Sequence, residues 1–145
     1  MRVLVQRVLS SSVEVENSVV GSIGKGILLL VGFTKNDSSK EIDYMVDKVL
    51  NLRIFDDENG VMNKSLLDIE GSILSVSQFT LYADSSKGRR PSYINALNGN
   101  EAITLYNEFN DKLRNTGINI ETGVFGADMK VNLINDGPVT IMLEK

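Results

Sequence analysis

The run Gly26-Ile27-Leu28-Leu29-Leu30-Val31-Gly32 constrains the fold more than any other stretch of the chain. It has no polar side chain, and it is far shorter than the ~20 residues of a membrane span. A short apolar run bounded by glycines reads as a strand covered on both faces, hence central in a sheet. Such a strand needs neighbours, and the chain supplies them. Residues 2–8 and 12–16 alternate as strands, and Val19-Val20 leads into a turn at Gly21 and Gly24. Further strands are expected at 72–81, 118–122, 129–134 and 139–143.

Two segments carry helical periodicity instead. Ser38 with Glu41 makes a capping-box pattern, and Ile42, Met45, Val46 and Val49 then share one face, giving a helix from 39 to about 52. A second helix from about 100 to 115 puts Ala102, Tyr106, Phe109 and Leu113 on one face, with Gly117 as its C-cap. Two main helices, about seven strands and short turns without a βαβ rhythm predict an α+β fold built on a mostly antiparallel, barrel-like sheet. At 145 residues, with no linker, repeat or low-complexity tract, one domain over 1–145 is expected.

Absent residue types narrow the chemistry. The chain has no histidine and no cysteine, which removes Ser-His-Asp and Cys-His catalysis and nearly all zinc sites. Catalysis must use hydroxyls, carboxylates, Lys, Arg, amides, backbone dipoles or the substrate itself. No cofactor and no metal is expected: the acidic turn Asp56-Asp57-Glu58-Asn59-Gly60 lacks the spacing and closing Glu of a calcium loop. A net charge of −4 argues against broad nucleic-acid binding, though not against a local basic patch on an RNA. The first residues alternate and show no signal-peptide pattern, so a cytoplasmic location without membrane contact is expected.

Four segments can carry chemistry. In Ser75-Val76-Ser77-Gln78-Phe79-Thr80-Leu81-Tyr82, read as a strand, Ser75, Ser77, Phe79 and Leu81 face one way and Val76, Gln78, Thr80 and Tyr82 the other. This is either the solvated face of an edge strand or a set of donors for an oxyanion. Lys87-Gly88-Arg89-Arg90-Pro91-Ser92-Tyr93 is either a solvated loop or a phosphate and base contact. Gly123-Val124-Phe125-Gly126-Ala127-Asp128-Met129 lines a pocket or anchors a strand connection. Asn135-Asp136-Gly137-Pro138-Val139-Thr140 contains a Gly-Pro step that is either an ordinary trans turn or a cis peptide. Lacking a Cβ, its glycine lets carbonyls approach a small ammonium group.

Together these segments resemble the D-aminoacyl-tRNA deacylase family. Ser77-Gln78-Phe79-Thr80-Leu81 and Asn135-Asp136-Gly137-Pro138-Val139-Thr140 are similar to its two signature motifs. Gln6-Arg7-Val8, Arg53-Ile54-Phe55, Met62-Asn63, Arg90-Pro91-Ser92 and Phe125-Gly126-Ala127-Asp128-Met129 extend the likeness along nearly the whole chain. Tyr93 departs from an expected Phe, and Tyr82 from a small residue; both changes fall outside the core motifs. The resemblance implies a cytoplasmic homodimer that hydrolyses the ester of D-aminoacyl-tRNA, releasing the D-amino acid and the tRNA, with no DNA partner. It implies that the Gly137-Pro138 peptide is cis and reaches the partner's site, where its carbonyls take the substrate's ammonium group and exclude L side chains. Ser77, Gln78, Phe79 and Thr80 are then the catalytic segment. Arg7, Ala102, Phe125 and Met129 join Gly137 and Pro138 in substrate binding. Arg7 is either a surface strand residue or a support for the Gly-Pro loop. Glycyl-tRNA, with no side chain to exclude, is an expected second substrate. The alternatives are a related deacylase with a trans Gly-Pro step and other stereochemistry, or a non-catalytic RNA- or amino-acid-binding module.

Overall fold

The computed structural model describes residues 1–145. In chain order it contains β1 (Arg2–Val15), β2 (Ser18–Ile23), β3 (Gly26–Gly32), α1 (Ser39–Asn51), β4 (Phe55–Asp56), β5 (Met62–Lys64), β6 (Ser72–Ser77), a 3-10 turn (Phe79–Tyr82), α2 (Gly99–Arg114), β7 (Ile120–Thr122) and β8 (Lys130–Glu144). The main sheet runs β2-β1-β3-β6-β7, with β8 also paired to β1; β4 and β5 form a separate ribbon. No helix is long and apolar enough to cross a membrane.

The apolar run is β3, and it is buried on both faces. Ile27, Leu29 and Val31 join Val3, Val5 and Ile73 beneath the helices, against Ile42, Met45 and Val49 of α1 and Ala102, Tyr106, Phe109 and Leu113 of α2. Leu28 faces the other way into a smaller cluster with Val8, Val13, Ile23, Leu74 and Val76. At ~1.5–3 kcal/mol for each fully buried large aliphatic side chain, this double coverage makes β3 the anchor of the fold. Both helices begin where side-chain caps satisfy their free N–H groups. Ser38 and Glu41 close a capping box on α1, and the Asn98 side chain accepts the Glu101 N–H at α2.

The sheet is mostly antiparallel, through β1–β2, β1–β3, β1–β8 and β4–β5. It also curls toward closure. A Cβ on Gly21 would lie 3.0 Å from the Thr122 carbonyl oxygen, so β2 meets β7. Gly21 therefore sits inside a strand, against the expected turn there. Two parallel pairs, β3–β6 and β6–β7, correct the expectation of no βαβ rhythm. Their crossovers contain α1 and α2, but the β4–β5 ribbon and the 3-10 turn interrupt the alternation that would have announced them.

Three further readings change. Residues 2–8 and 12–16 form one strand, because alternation continues through Ser11, whose hydroxyl is buried and donates to the Asn132 carbonyl at 2.9 Å. The strand expected at 72–81 ends at Ser77. Gln78 donates the last ladder bond to Val31 at 2.7 Å, and the chain then tightens into the 3-10 turn. The two final strands are one, β8: it pairs Asn135 with Val8 and Thr140 with Gln6, so Asp136-Gly137-Pro138-Val139 arch out opposite Arg7. The expected turn is a wide bulge within a continuous strand.

Candidate functional site

Because β3 and β6 run parallel, their carboxyl ends lie side by side, Val31 opposite Ser77. A cleft of about 450 Å³ opens at these ends, the usual place for a ligand in parallel β structure. Val31, Gly32 and Phe33 line it beside Val76, Ser77, Gln78 and Phe79. Leu97, Gly99 and Ala102 come from the start of α2. Phe125 to Met129, in the β7–β8 connection, and Val131 complete the wall.

Six of the expected residues thus meet at one cleft: Ser77, Gln78, Phe79, Ala102, Phe125 and Met129. Several are held by distinct contacts. The Phe125 ring lies 5.7 Å from that of Tyr106, whose hydroxyl donates to the Ser75 carbonyl at 2.8 Å. Burial pushes the Tyr106 phenol upward, keeping it a neutral donor. Met129 sulfur fills the space over Gly123, 2.6 Å from where a Cβ would stand. Phe79 is 56% exposed at the mouth and meets Tyr93 edge to face at 5.1 Å. Asp128, on the wall, pairs with Lys130 at 2.8 Å.

Thr80 belongs to the turn and not to the cleft lining; its Oγ1 accepts a hydrogen bond from Gln78 Nε2. The break at Gln78 changes what the segment offers. A 3-10 turn leaves its first N–H groups, those of Phe79 and Thr80, without partners inside the turn. An uninterrupted strand would have committed alternate groups to the ladder.

Arg7, Gly137 and Pro138 are not at this cleft. Gly137-Pro138 is a cis peptide, with φ +118° at Gly137, on the exposed arch of β8. Arg7, only 7% exposed, lies directly under it. Its Nε donates to the Asp136 carbonyl at 3.1 Å and faces the Asp136 carboxylate at 3.3 Å. Its Nη1 donates to the Ile54 carbonyl at 2.6 Å, with the Asp56 carboxylate 3.5 Å away. A buried guanidinium demands such partners.

Tyr82 is turned away from the cleft, buried under the Arg2 guanidinium at 4.6 Å; burial, more than nearby Asp37, pushes its phenol up. Sequence reasoning missed Gly32, Leu97 and Gly99 at the cleft and the ribbon's contribution to Arg7. Backbone carbonyls and small linings leave no residue-type signal; Asp136, inside the Gly-Pro motif, could have been found.

Fold and cleft define an α+β protein with an open cleft at the carboxyl ends of its parallel strands. A family model described as D-Tyr-tRNA(Tyr) deacylase matches residues 4–144. The D-aminoacyl-tRNA deacylase of Clostridium botulinum (strain Langeland) is 58% identical over 144 residues, covering 99% of this chain and 97% of that one. The Clostridium kluyveri protein of the same name is 56% identical over the same spans. Among solved structures, c-Myc DNA Unwinding Element Binding Protein superposes with a TM-score of 0.94 at 44% identity, covering 100% of this chain and 99% of the other. A probable eukaryotic D-amino acid tRNA deacylase shares the fold, with a TM-score of 0.85 at 20% identity over 98% and 97% of the two chains. The chain belongs to the D-Tyr-tRNA(Tyr) deacylase family, a family of enzymes.

Proposed function

We propose that the protein hydrolyses the ester bond of D-aminoacyl-tRNA, releasing the free D-amino acid and the tRNA, and that it works as a homodimer. The observation that carries this reading is Ser77-Gln78-Phe79 lining a cleft, with Thr80 next to them in the turn, in a chain 58% identical to D-aminoacyl-tRNA deacylases. The bond is an activated ester, so the demands are an aligned water and a stabilised tetrahedral oxyanion. The free N–H groups of Phe79 and Thr80 suit the oxyanion; one such donor is worth ~2.7–4 kcal/mol in other acyl-transfer enzymes. Next in weight is the substrate's own ribose 2′-hydroxyl as proton relay. Thr80, held by Gln78, comes third, as a positioning group or nucleophile; no base adjoins it.

Chirality is read by geometry, since enantiomers share charge and hydrophobicity. Gly137 and Pro138 lie outside the cleft of their own chain, so their carbonyls serve a second copy's cleft. Support for that arrangement comes from β8, an edge strand that carries exposed Leu133 and Ile134 close to the arch. Carbonyls fixed on the ammonium leave a D side chain one open direction and turn an L side chain into the arch. Glycyl-tRNA escapes this filter and is a second substrate. The nucleic-acid partner is the tRNA that carries the ester, and no DNA partner is part of this reading. A charged tRNA keeps the expected location cytoplasmic.

The test is turnover of D-tyrosyl-tRNA with EDTA present, beside L-alanyl- and glycyl-tRNA, and sedimentation of the protein alone. Hydrolysis of the D and glycyl esters with the L ester spared, by a dimer, is the expected result. Binding without turnover would establish a non-catalytic module, and a resistant glycyl ester would remove steric exclusion as the basis of selectivity.

A further inference from the structure

The acidic turn after β4 takes no part in the hydrolysis just described, yet it bears directly on Arg7. Asp57 organises it: Oδ1 accepts the N–H groups of Asn59 and Val61, and Oδ2 accepts Asn63 Nδ2. Arg53 forks onto Asn63 from behind, at 2.8 Å and 2.9 Å. The ribbon thereby presents the Ile54 carbonyl and the Asp56 carboxylate to one end of the Arg7 guanidinium. The other end holds the Asp136 carbonyl, and a Cβ on Gly137 would come within 3.1 Å of Nη2. A planar guanidinium cannot move toward one partner without tilting against the other.

We infer that the β4–β5 ribbon is the mount that sets the position of the Asp136-Gly137 arch, and that Asp56 is a positioning residue acting through Arg7. This rests on the proposed role of Gly137 as reader of the substrate ammonium. Removing the Asp56 charge leaves Arg7 flanked by the Asp136 carboxylate alone, so the guanidinium shifts toward the arch and the arch shifts with it. Glu58, in the same turn, pairs only with Lys64 and supplies a control of equal charge.

The experiment compares wild type, Asp56→Ala, Asp56→Asn and Glu58→Ala on D- and L-tyrosyl-tRNA. It also records the Gly137 amide resonance by NMR and the melting temperature of each. Expected is an about two- to five-fold fall in the D-over-L ratio of kcat/KM for Asp56→Ala, the size of a half-exposed ion pair. Partial recovery in Asp56→Asn, an unchanged ratio in Glu58→Ala, and a moved Gly137 resonance only in the Asp56 variants complete the expectation. Combined with Arg7→Lys, Asp56→Ala adds less than it does alone. An unchanged ratio and resonance in both Asp56 variants, an equal fall with Glu58→Ala, or full additivity with Arg7→Lys overturns the inference. Should wild type hydrolyse neither ester, the proposed function falls, and the Gly137 resonance alone decides the mount.

Discussion

Gly137→Ala probes the arch most directly, and Gly126→Ala is its natural control. Gly137 has φ +118°, a backbone region that L side chains rarely enter; such strain costs about 1–3 kcal/mol. An added Cβ would also stand 3.1 Å from both Arg7 Nη2 and Val139 Cγ2. Arg7 cannot retreat freely, because its bonds to Ile54 and Asp136 fix it; disturbing one adds about 1 kcal/mol. Together these give about 2–4 kcal/mol, or a fall in Tm of roughly 5–15 °C for a chain of this size. Gly126 has φ +77° with nothing within 4 Å of an added Cβ, so only the left-handed strain of about 1–2 kcal/mol applies. Thermal unfolding followed by circular dichroism ranks the two. A Gly137→Ala protein as stable as Gly126→Ala would refute the argument that Arg7 is locked beneath the arch.

Tyr106→Phe removes the buried bond to Ser75, whose carbonyl still accepts the Gly123 N–H at 2.9 Å; a loss of about 1 kcal/mol by urea unfolding is expected. The Asp57 carboxyl is held below its usual range, first by the Asn63 amide and then by the N–H groups of Val61 and Asn59. A depressed carboxyl stabilises above its unfolded pKa of ~3.9 and loses that contribution as pH falls through the folded value. Hydrogen exchange should therefore show Asn59 and Val61 amides protected near neutrality and released in acid, and Asp57→Asn should abolish that dependence. Lys87, Arg89 and Arg90 are exposed and pair with no acidic side chain, so single Ala variants should weaken all tRNAs by a common factor and flatten the salt slope by ~1 unit. Filter-binding at several salt concentrations checks this.

What the sequence made legible was local. Ser38 with Glu41, and the spacing of Ile42, Met45 and Val49, fix α1 because capping and one apolar stripe are written in neighbouring residues. Likewise β3 declares itself by having no polar face. The break after Ser77 was hidden, since Phe79-Thr80-Leu81-Tyr82 has strand-forming side chains and no Gly or Pro; the turn follows from where the β3 ladder runs out. Pro138 suggested a stop between strands, whereas β1 pairs on both sides of it and carries β8 through. At the site, Ser77, Gln78 and Phe125 were legible through motif and residue type. Arg7 was not assignable to surface or interior, because its partners at Ile54 and Asp136 are far away in sequence and partly backbone.

The pairing of β1 with β8 has a consequence for how the chain is made. Arg2 and Glu144 are partners across a separation of 142 residues, and β8 flanks nearly all of β1. Contacts so distant in sequence close late, after a large loop entropy has been overcome. On the ribosome, β1 emerges well before its companion β8. Until β8 has been made, one edge of β1 lies open to stray strands, so this domain should complete its sheet only after β8 emerges, and crowding by unfinished copies is its natural hazard.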